Sequence, residues 1–115
     1  MKQTYEGACH CGKVRFRATL DLAECLVCDC SICRKKGTLI NKAEEADFEL
    51  LTPLEELGLY TFNKHIAKHY FCPACGIHTF NRPRTTPELW AVNVRCLDAD
   101  ITGIKPRQVF GSKLD

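Results

Sequence analysis

The cysteines of this chain set the tightest limit on how it can fold. Nine occur in 115 residues, and seven of them stand in three clusters: Cys9-His10-Cys11, Cys28-Asp29-Cys30-Ser31-Ile32-Cys33 and Cys72-Pro73-Ala74-Cys75. Cys25 lies just upstream of the second cluster, and Cys96 stands alone. An extended Cys-x-Cys aims both side chains at one face without bringing the sulfurs into disulfide geometry, which suits a shared metal better than a bridge. An odd total would also leave one thiol over in a fully paired scaffold. The chain opens Met1-Lys2-Gln3-Thr4-Tyr5-Glu6, with no apolar run resembling a signal peptide, so a reducing cytoplasm is the expected compartment. Zinc accounts for this pattern better than a disulfide framework does.

Spacing divides the cysteines unequally. Cys9, Cys11, Cys72 and Cys75 supply the four thiolates of a closed tetrahedral site, which has no open position and contributes folding free energy. Cys28, Cys30 and Cys33 supply only three, leaving a position for water or a substrate sulfur, the usual mark of a catalytic zinc. Two zinc ions per chain are therefore expected, one structural and one of catalytic type. A competing reading closes the triplet with Cys25, Cys96 or a histidine, giving a non-enzymatic, zinc-stabilised binding module with two structural sites. A third treats Cys30-Ser31-Ile32-Cys33 as a redox dithiol, although the thioredoxin-like βαβ setting for such a motif is missing.

Hydrophobic periodicity points to strands. Val14, Phe16, Ala18 and Leu20 alternate with Lys13, Arg15, Arg17 and Thr19, the two-residue period of a half-buried strand. Further strands are expected at Gln3 to Ala8, Glu24 to Cys28, Leu57 to Phe62, Ile66 to Phe71, Ile77 to Asn81 and Leu89 to Cys96. Gly12 and Gly76 each follow a cysteine pair, where a tight knuckle needs backbone that reaches positive φ. Ser31 to Lys36 suits one short helical turn, and Ala43 to Phe48 reads equally as helix or loop. At this length one domain is expected, residues 1–115. Sixteen Lys and Arg against fourteen Asp and Glu give a formal charge of +2, which predicts no nucleic-acid binding. No apolar stretch approaches the roughly 18 to 20 residues that span a bilayer.

Three segments carry a family resemblance: Gly7-Ala8-Cys9-His10-Cys11-Gly12, Cys28-Asp29-Cys30-Ser31-Ile32-Cys33-Arg34-Lys35-Lys36-Gly37 and His69-Tyr70-Phe71-Cys72-Pro73-Ala74-Cys75-Gly76. Their order and composition resemble the signature of the glutathione-dependent formaldehyde-activating enzyme and centromere protein V family, over about Tyr5 to Leu97. The resemblance implies a mainly β, β-tent fold of short antiparallel strands built around a structural zinc at Cys9, Cys11, Cys72 and Cys75. It implies a catalytic-type zinc at Cys28, Cys30 and Cys33, and carbon-sulfur lyase chemistry on an adduct of a small thiol, such as glutathione, and a small aldehyde. The ligand chemistry agrees, since soft thiolates favour binding an incoming thiol as thiolate over activating water.

Other side chains are candidates for supporting roles. His69 could face the second metal and shuttle a proton to a developing alkoxide. His10, inside a knuckle, is expected to face solvent, while His65 and His78 have no expected partner. Arg34, Lys35 and Lys36 follow the triplet directly and could offset its negative charge, attract an anionic thiol, or form a solvated basic turn. Arg82 and Arg84 could capture a substrate carboxylate or belong to an ordinary exposed loop.

Overall fold

The computed structural model describes residues 1–114. Two hairpins turned by cysteine knuckles organise it. Strand β1 (Gln3–Ala8) runs into β2 (Arg15–Leu20), pairing antiparallel from Gln3 opposite Leu20 to Ala8 opposite Arg15. Between them the Cys9 N–H donates to the Val14 carbonyl at 3.1 Å, and the Val14 N–H donates to Cys9 Sγ at 3.3 Å. Gly12 closes this turn at φ 84°, a left-handed conformation that favours glycine. The second hairpin repeats the device: β7 (Lys68–Phe71) pairs with β8 (His78–Arg82), and Gly76 takes φ 80°. Here the Cys72 N–H donates to the Ile77 carbonyl at 3.0 Å and the Cys75 N–H to Cys72 Sγ at 3.5 Å.

The remaining strands are β3 (Leu26–Cys28), β4 (Ile40–Ala43), β5 (Phe48–Leu50), β6 (Gly58–Tyr60), β9 (Trp90–Asn93) and β10 (Arg107–Val109). One helix, α1 (Ser31–Lys36), lies between β3 and β4. A three-stranded sheet has the order β1-β2-β5, and a seven-stranded sheet the order β10-β3-β4-β9-β8-β7-β6. The fold is mainly β and antiparallel, with one parallel pair, β10 on β3. The core lies where the sheets meet. Phe16, Val14, Leu20, Phe80, Val92 and Val94 are fully enclosed there. Phe16 stacks on Phe48 at 5.6 Å between ring centroids and meets Phe80 edge-on at 5.5 Å, while Phe48 stacks on Trp90 at 4.7 Å.

The expected β1 and α1 coincide with the observed elements, and the expected strands around β3, β6, β7, β8 and β9 differ at their ends. Leu89 to Cys96 is a shorter strand than expected, because Val94–Cys96 turns as a 3₁₀ segment with Asn93 Oδ1 accepting from the Arg95 N–H at 3.2 Å. Ala43 to Phe48 is neither simple helix nor loop: it holds the end of β4, a 3₁₀ turn over Glu45–Asp47 and the start of β5. Strands β4, β5 and β10 were not expected. Each has three or four residues, too few for a two-residue period to stand out.

Gly7 is packed without room for a side chain. A Cβ there would lie 2.4 Å from the Phe16 ring, which the surrounding aromatics hold in place. Gly7→Ala is expected to destabilise the fold by about 1–3 kcal/mol through overpacking, measured as a lower urea midpoint at unchanged slope. An unchanged midpoint would contradict this packing.

Candidate metal centres

The two knuckles meet. Cys9 and Cys11 from the first hairpin lie beside Cys72 and Cys75 from the second, with the four sulfurs within 4.8 Å of one another. The Cys9–Cys11 and Cys11–Cys72 sulfur separations are both 3.7 Å. That is far beyond the roughly 2 Å of a disulfide. It matches the edge of a tetrahedron whose metal–sulfur bonds are about 2.3 Å, the zinc–thiolate length, for which geometry gives about 3.8 Å. Backbone N–H groups of Ile77 and Cys11 hold the Cys75 thiol down at about 6, which favours the thiolate that binds a metal. These four residues fit a metal ion such as zinc.

The second cluster is built by the β3–α1 junction. Cys28 ends β3, and Cys30 caps the helix, its Sγ accepting from the Cys33 N–H at 3.4 Å. Gly37, at φ 65°, ends the helix with its N–H on the Cys33 carbonyl at 3.0 Å. This one-turn geometry gathers the sulfurs of Cys28, Cys30 and Cys33 within 4.8 Å of one another, again a donor set that fits a thiophilic metal. Burial first, then the neighbouring Cys30, pushes the Cys33 thiol up to about 12 in the absence of a bound cation. The chain's last strand walls the cluster. The Asp29 N–H donates to the Val109 carbonyl at 3.2 Å, and both Asp29 carboxylate oxygens accept from Ser112, at 3.0 and 2.9 Å. Gly111 then passes so close that a Cβ would lie 2.5 Å from Cys28 Sγ.

Neither unassigned cysteine joins the triplet. Cys25 is separated from Cys28 by three positions of extended chain, which turns it to the opposite face, where its buried Sγ accepts from Asn41 Nδ2 at 3.6 Å. Cys96 lies near the other cluster, its Sγ donating to the His78 carbonyl at 3.6 Å. Among the described residues no disulfide is present.

A cavity of about 360 Å³ opens beside Cys28, Cys30 and Cys33. Ile32, Phe62 and Ile66 give it apolar walls, and Lys42, Lys64, Arg84 and Arg107 line it with positive charge. Among the described residues no Asp or Glu lines it. A separate depression of about 510 Å³, around Glu24, Asn41 and Lys105, contains neither cluster and therefore has no comparable chemistry. His69 lines the first cavity and is 5% exposed. Its Nδ1 lies 2.9 Å from Lys36 Nζ, which also reaches His78 Nε2 at 3.2 Å. Burial brings Lys36 down to about 8, although the three cysteines work in the opposite direction. Burial, followed by the Lys36 charge, lowers His69 to about 4 and also lowers His78.

The sequence-derived candidates separate clearly. His10 is exposed, as expected, and so are Arg34 and Lys35, whereas Lys36 turns inward. Arg82 does not await a carboxylate ligand: it pairs with Glu45 at 2.7 Å, donates to the Glu88 carbonyl at 3.1 Å and covers the Trp90 ring at 3.6 Å. His65, at φ 57°, is held by Thr61 at 2.7 Å. Gly111 escaped notice as a site residue, and Lys36 was named only together with Arg34 and Lys35 as a charge that could offset the triplet. What singles out Lys36 from that basic run is its place one helical turn after Cys33, which directs it back toward the cluster.

The two imidazoles that meet Lys36, His69 buried and His78 half-buried, give the fold a pH dependence. Both are neutral when folded, and once unfolded each binds a proton below its ordinary pKa of about 6.5. The unfolded chain therefore holds more protons under acid conditions, and stability falls as pH drops from about 6.5 toward the folded His69 value of about 4. Urea titrations across this range should show the midpoint falling less steeply in His78→Gln than in the unaltered chain. Equal slopes would contradict a His78 that stays neutral in the folded chain.

Comparison with known proteins agrees with this arrangement. The family model described as glutathione-dependent formaldehyde-activating enzyme matches residues 4–111. A Halomonas elongata protein named "Putative glutathione-dependent formaldehyde-activating enzyme" is 30% identical over 105 residues, covering 84% of this chain and 67% of that protein. The crystal structure of a Rhodobacter sphaeroides protein, a structural-genomics target, superposes with a TM-score of 0.82 at 36% identity, covering 90% of this chain and 99% of the other. With paired cysteine knuckles, a three-cysteine helix cap and a family match across nearly its whole length, the chain belongs to the glutathione-dependent formaldehyde-activating enzyme family.

Proposed function

We propose that the chain, residues 1–115, is one domain acting as a zinc-dependent carbon-sulfur lyase-type enzyme on an adduct of a small thiol, such as glutathione, and a small aldehyde, such as formaldehyde. The observation that carries this reading is a cluster of three cysteine sulfurs, not four, beside a cavity with positive lining and, among the described residues, no acidic one. Cys28, Cys30 and Cys33 hold the catalytic-type zinc, and Cys9, Cys11, Cys72 and Cys75 the structural one. Zinc at the three-cysteine site would supply one position at which a thiol is bound and kept as thiolate at neutral pH.

The chain's own residues do the rest. Lys36 sets a half-buried positive charge against the three thiolates, and Cys33 and Cys30 in turn favour its protonated form. Lys64, Arg84 and Arg107 attract a thiol that carries carboxylates. Ile32, Phe62 and Ile66 offer the small carbonyl partner an apolar wall. Free thiols at every described cysteine suit the reducing cytoplasm in which we place the protein.

Two measurements test the assignment together. Exchange NMR on glutathione and formaldehyde should show faster adduct turnover with the protein than the spontaneous rate, and Cys30→Ser should lose the catalysed component. Thermal melts should leave Cys30→Ser cooperatively folded while Cys72→Ser loses its transition, because structural zinc contributes on the order of 10 kcal/mol to folding. A Cys30→Ser melt as damaged as that of Cys72→Ser, with no catalysed exchange in the unaltered chain, would instead support a binding module with two structural sites.

A further inference from the structure

We propose that Lys36 locks His69 into the tautomer that presents Nε2–H to the substrate, making His69 a fixed hydrogen-bond donor to the aldehyde or hydroxymethyl oxygen and Lys36 its positioning residue. This inference rests on the lyase reading above. It starts from donor and acceptor counting. A lysine ammonium has three donors and no acceptor. Its 2.9 Å contact with His69 Nδ1 and 3.2 Å contact with His78 Nε2 therefore make both ring nitrogens acceptors. A neutral imidazole that accepts at Nδ1 carries its proton on Nε2. Burial and the adjacent Lys36 charge keep His69 neutral near pH 7, in agreement with that geometry.

His69 Nε2 is then a buried donor with no hydrogen-bond partner among the described residues. A buried donor left without a partner is unfavourable, so it calls for a ligand. The ring lines the same cavity as Cys28, Cys30 and Cys33. Phe62 stacks on it at 5.8 Å between centroids, which limits its rotation. The only oxygen at the reacting centre, in the free aldehyde and in the adduct alike, is the aldehyde oxygen. As the thiolate pair forms the C–S bond, the C=O π pair moves onto that oxygen, which then takes a proton from water, releasing hydroxide. In reverse, hydroxide removes the hydroxyl proton, the C=O bond re-forms and the thiolate leaves. A donor held at the oxygen stabilises its developing charge in both directions. A base would be misplaced there, so the proton-shuttle role expected for His69 gives way to electrostatic stabilisation without net proton transfer.

The test combines a tautomer readout with kinetics on the zinc-loaded protein. Long-range ¹H–¹⁵N spectra with ¹⁵N-labelled histidine should show His69 protonated at Nε2 alone near pH 7, and Lys36→Met should remove that preference. His69→Leu should lower kcat for adduct exchange by about 100-fold at little change in KM, while His69→Gln, which keeps an N–H donor, should recover part of the loss. A His69 protonated at Nδ1, or a spectrum unmoved by Lys36→Met, with exchange intact, overturns the lock. Unchanged kcat in His69→Leu overturns the donor role. Absence of catalysed exchange in the unaltered protein overturns the substrate role together with the lyase reading.

Discussion

Everything else in this molecule depends on four sulfurs that draw two distant hairpins together. Cys9 and Cys11 terminate the β1–β2 hairpin of the small sheet, and Cys72 and Cys75 turn the β7–β8 hairpin of the large one. A spacing of 3.7 Å between neighbouring sulfurs is too long for a bridge and fits ligands of one metal. The aromatic core lies in register with this junction, since Phe16 belongs to the first hairpin and Phe80 to the second. Fixing the knuckles therefore also fixes the contact that joins the sheets.

The same junction sets up the other cluster. Strand β7 leads into Cys72 and carries His69 three residues earlier, while β8 begins with His78 just after the second knuckle. Both imidazoles converge on Lys36, which leaves the end of the helix capped by Cys30. A charge that would be costly alone is matched on one side by two ring nitrogens and on the other by the field of three cysteines. The β10 strand and Gly111 complete the wall behind Cys28, so a cluster assembled from six consecutive residues is enclosed by the far end of the chain.

Much of this was legible because cysteine spacing is a local signal with a chemical meaning. The knuckles, their glycines and the three cysteine clusters can be read from neighbours a few residues apart. What could not be read was long-range. Strand β10 has three residues and gains its identity only by pairing with β3. The inward turn of Lys36, against the outward Arg34 and Lys35, is decided by which helix face meets β7 and β8. Whether Arg82 binds a ligand or belongs to an ordinary loop could not be decided from the sequence, because its partners, Glu45 and Trp90, are remote or unremarkable there. Cys25 and Cys96 were assigned by strand geometry, which turns one away from the triplet and brings the other near the opposite cluster.

The central claim is that the two clusters differ by one open coordination position. X-ray absorption at the metal edge of the zinc-loaded protein addresses it directly. The account predicts two zinc ions per chain with an average between three and four sulfur neighbours, rising to four when glutathione is added. One zinc per chain, or four sulfurs around each ion before any thiol is present, would contradict it.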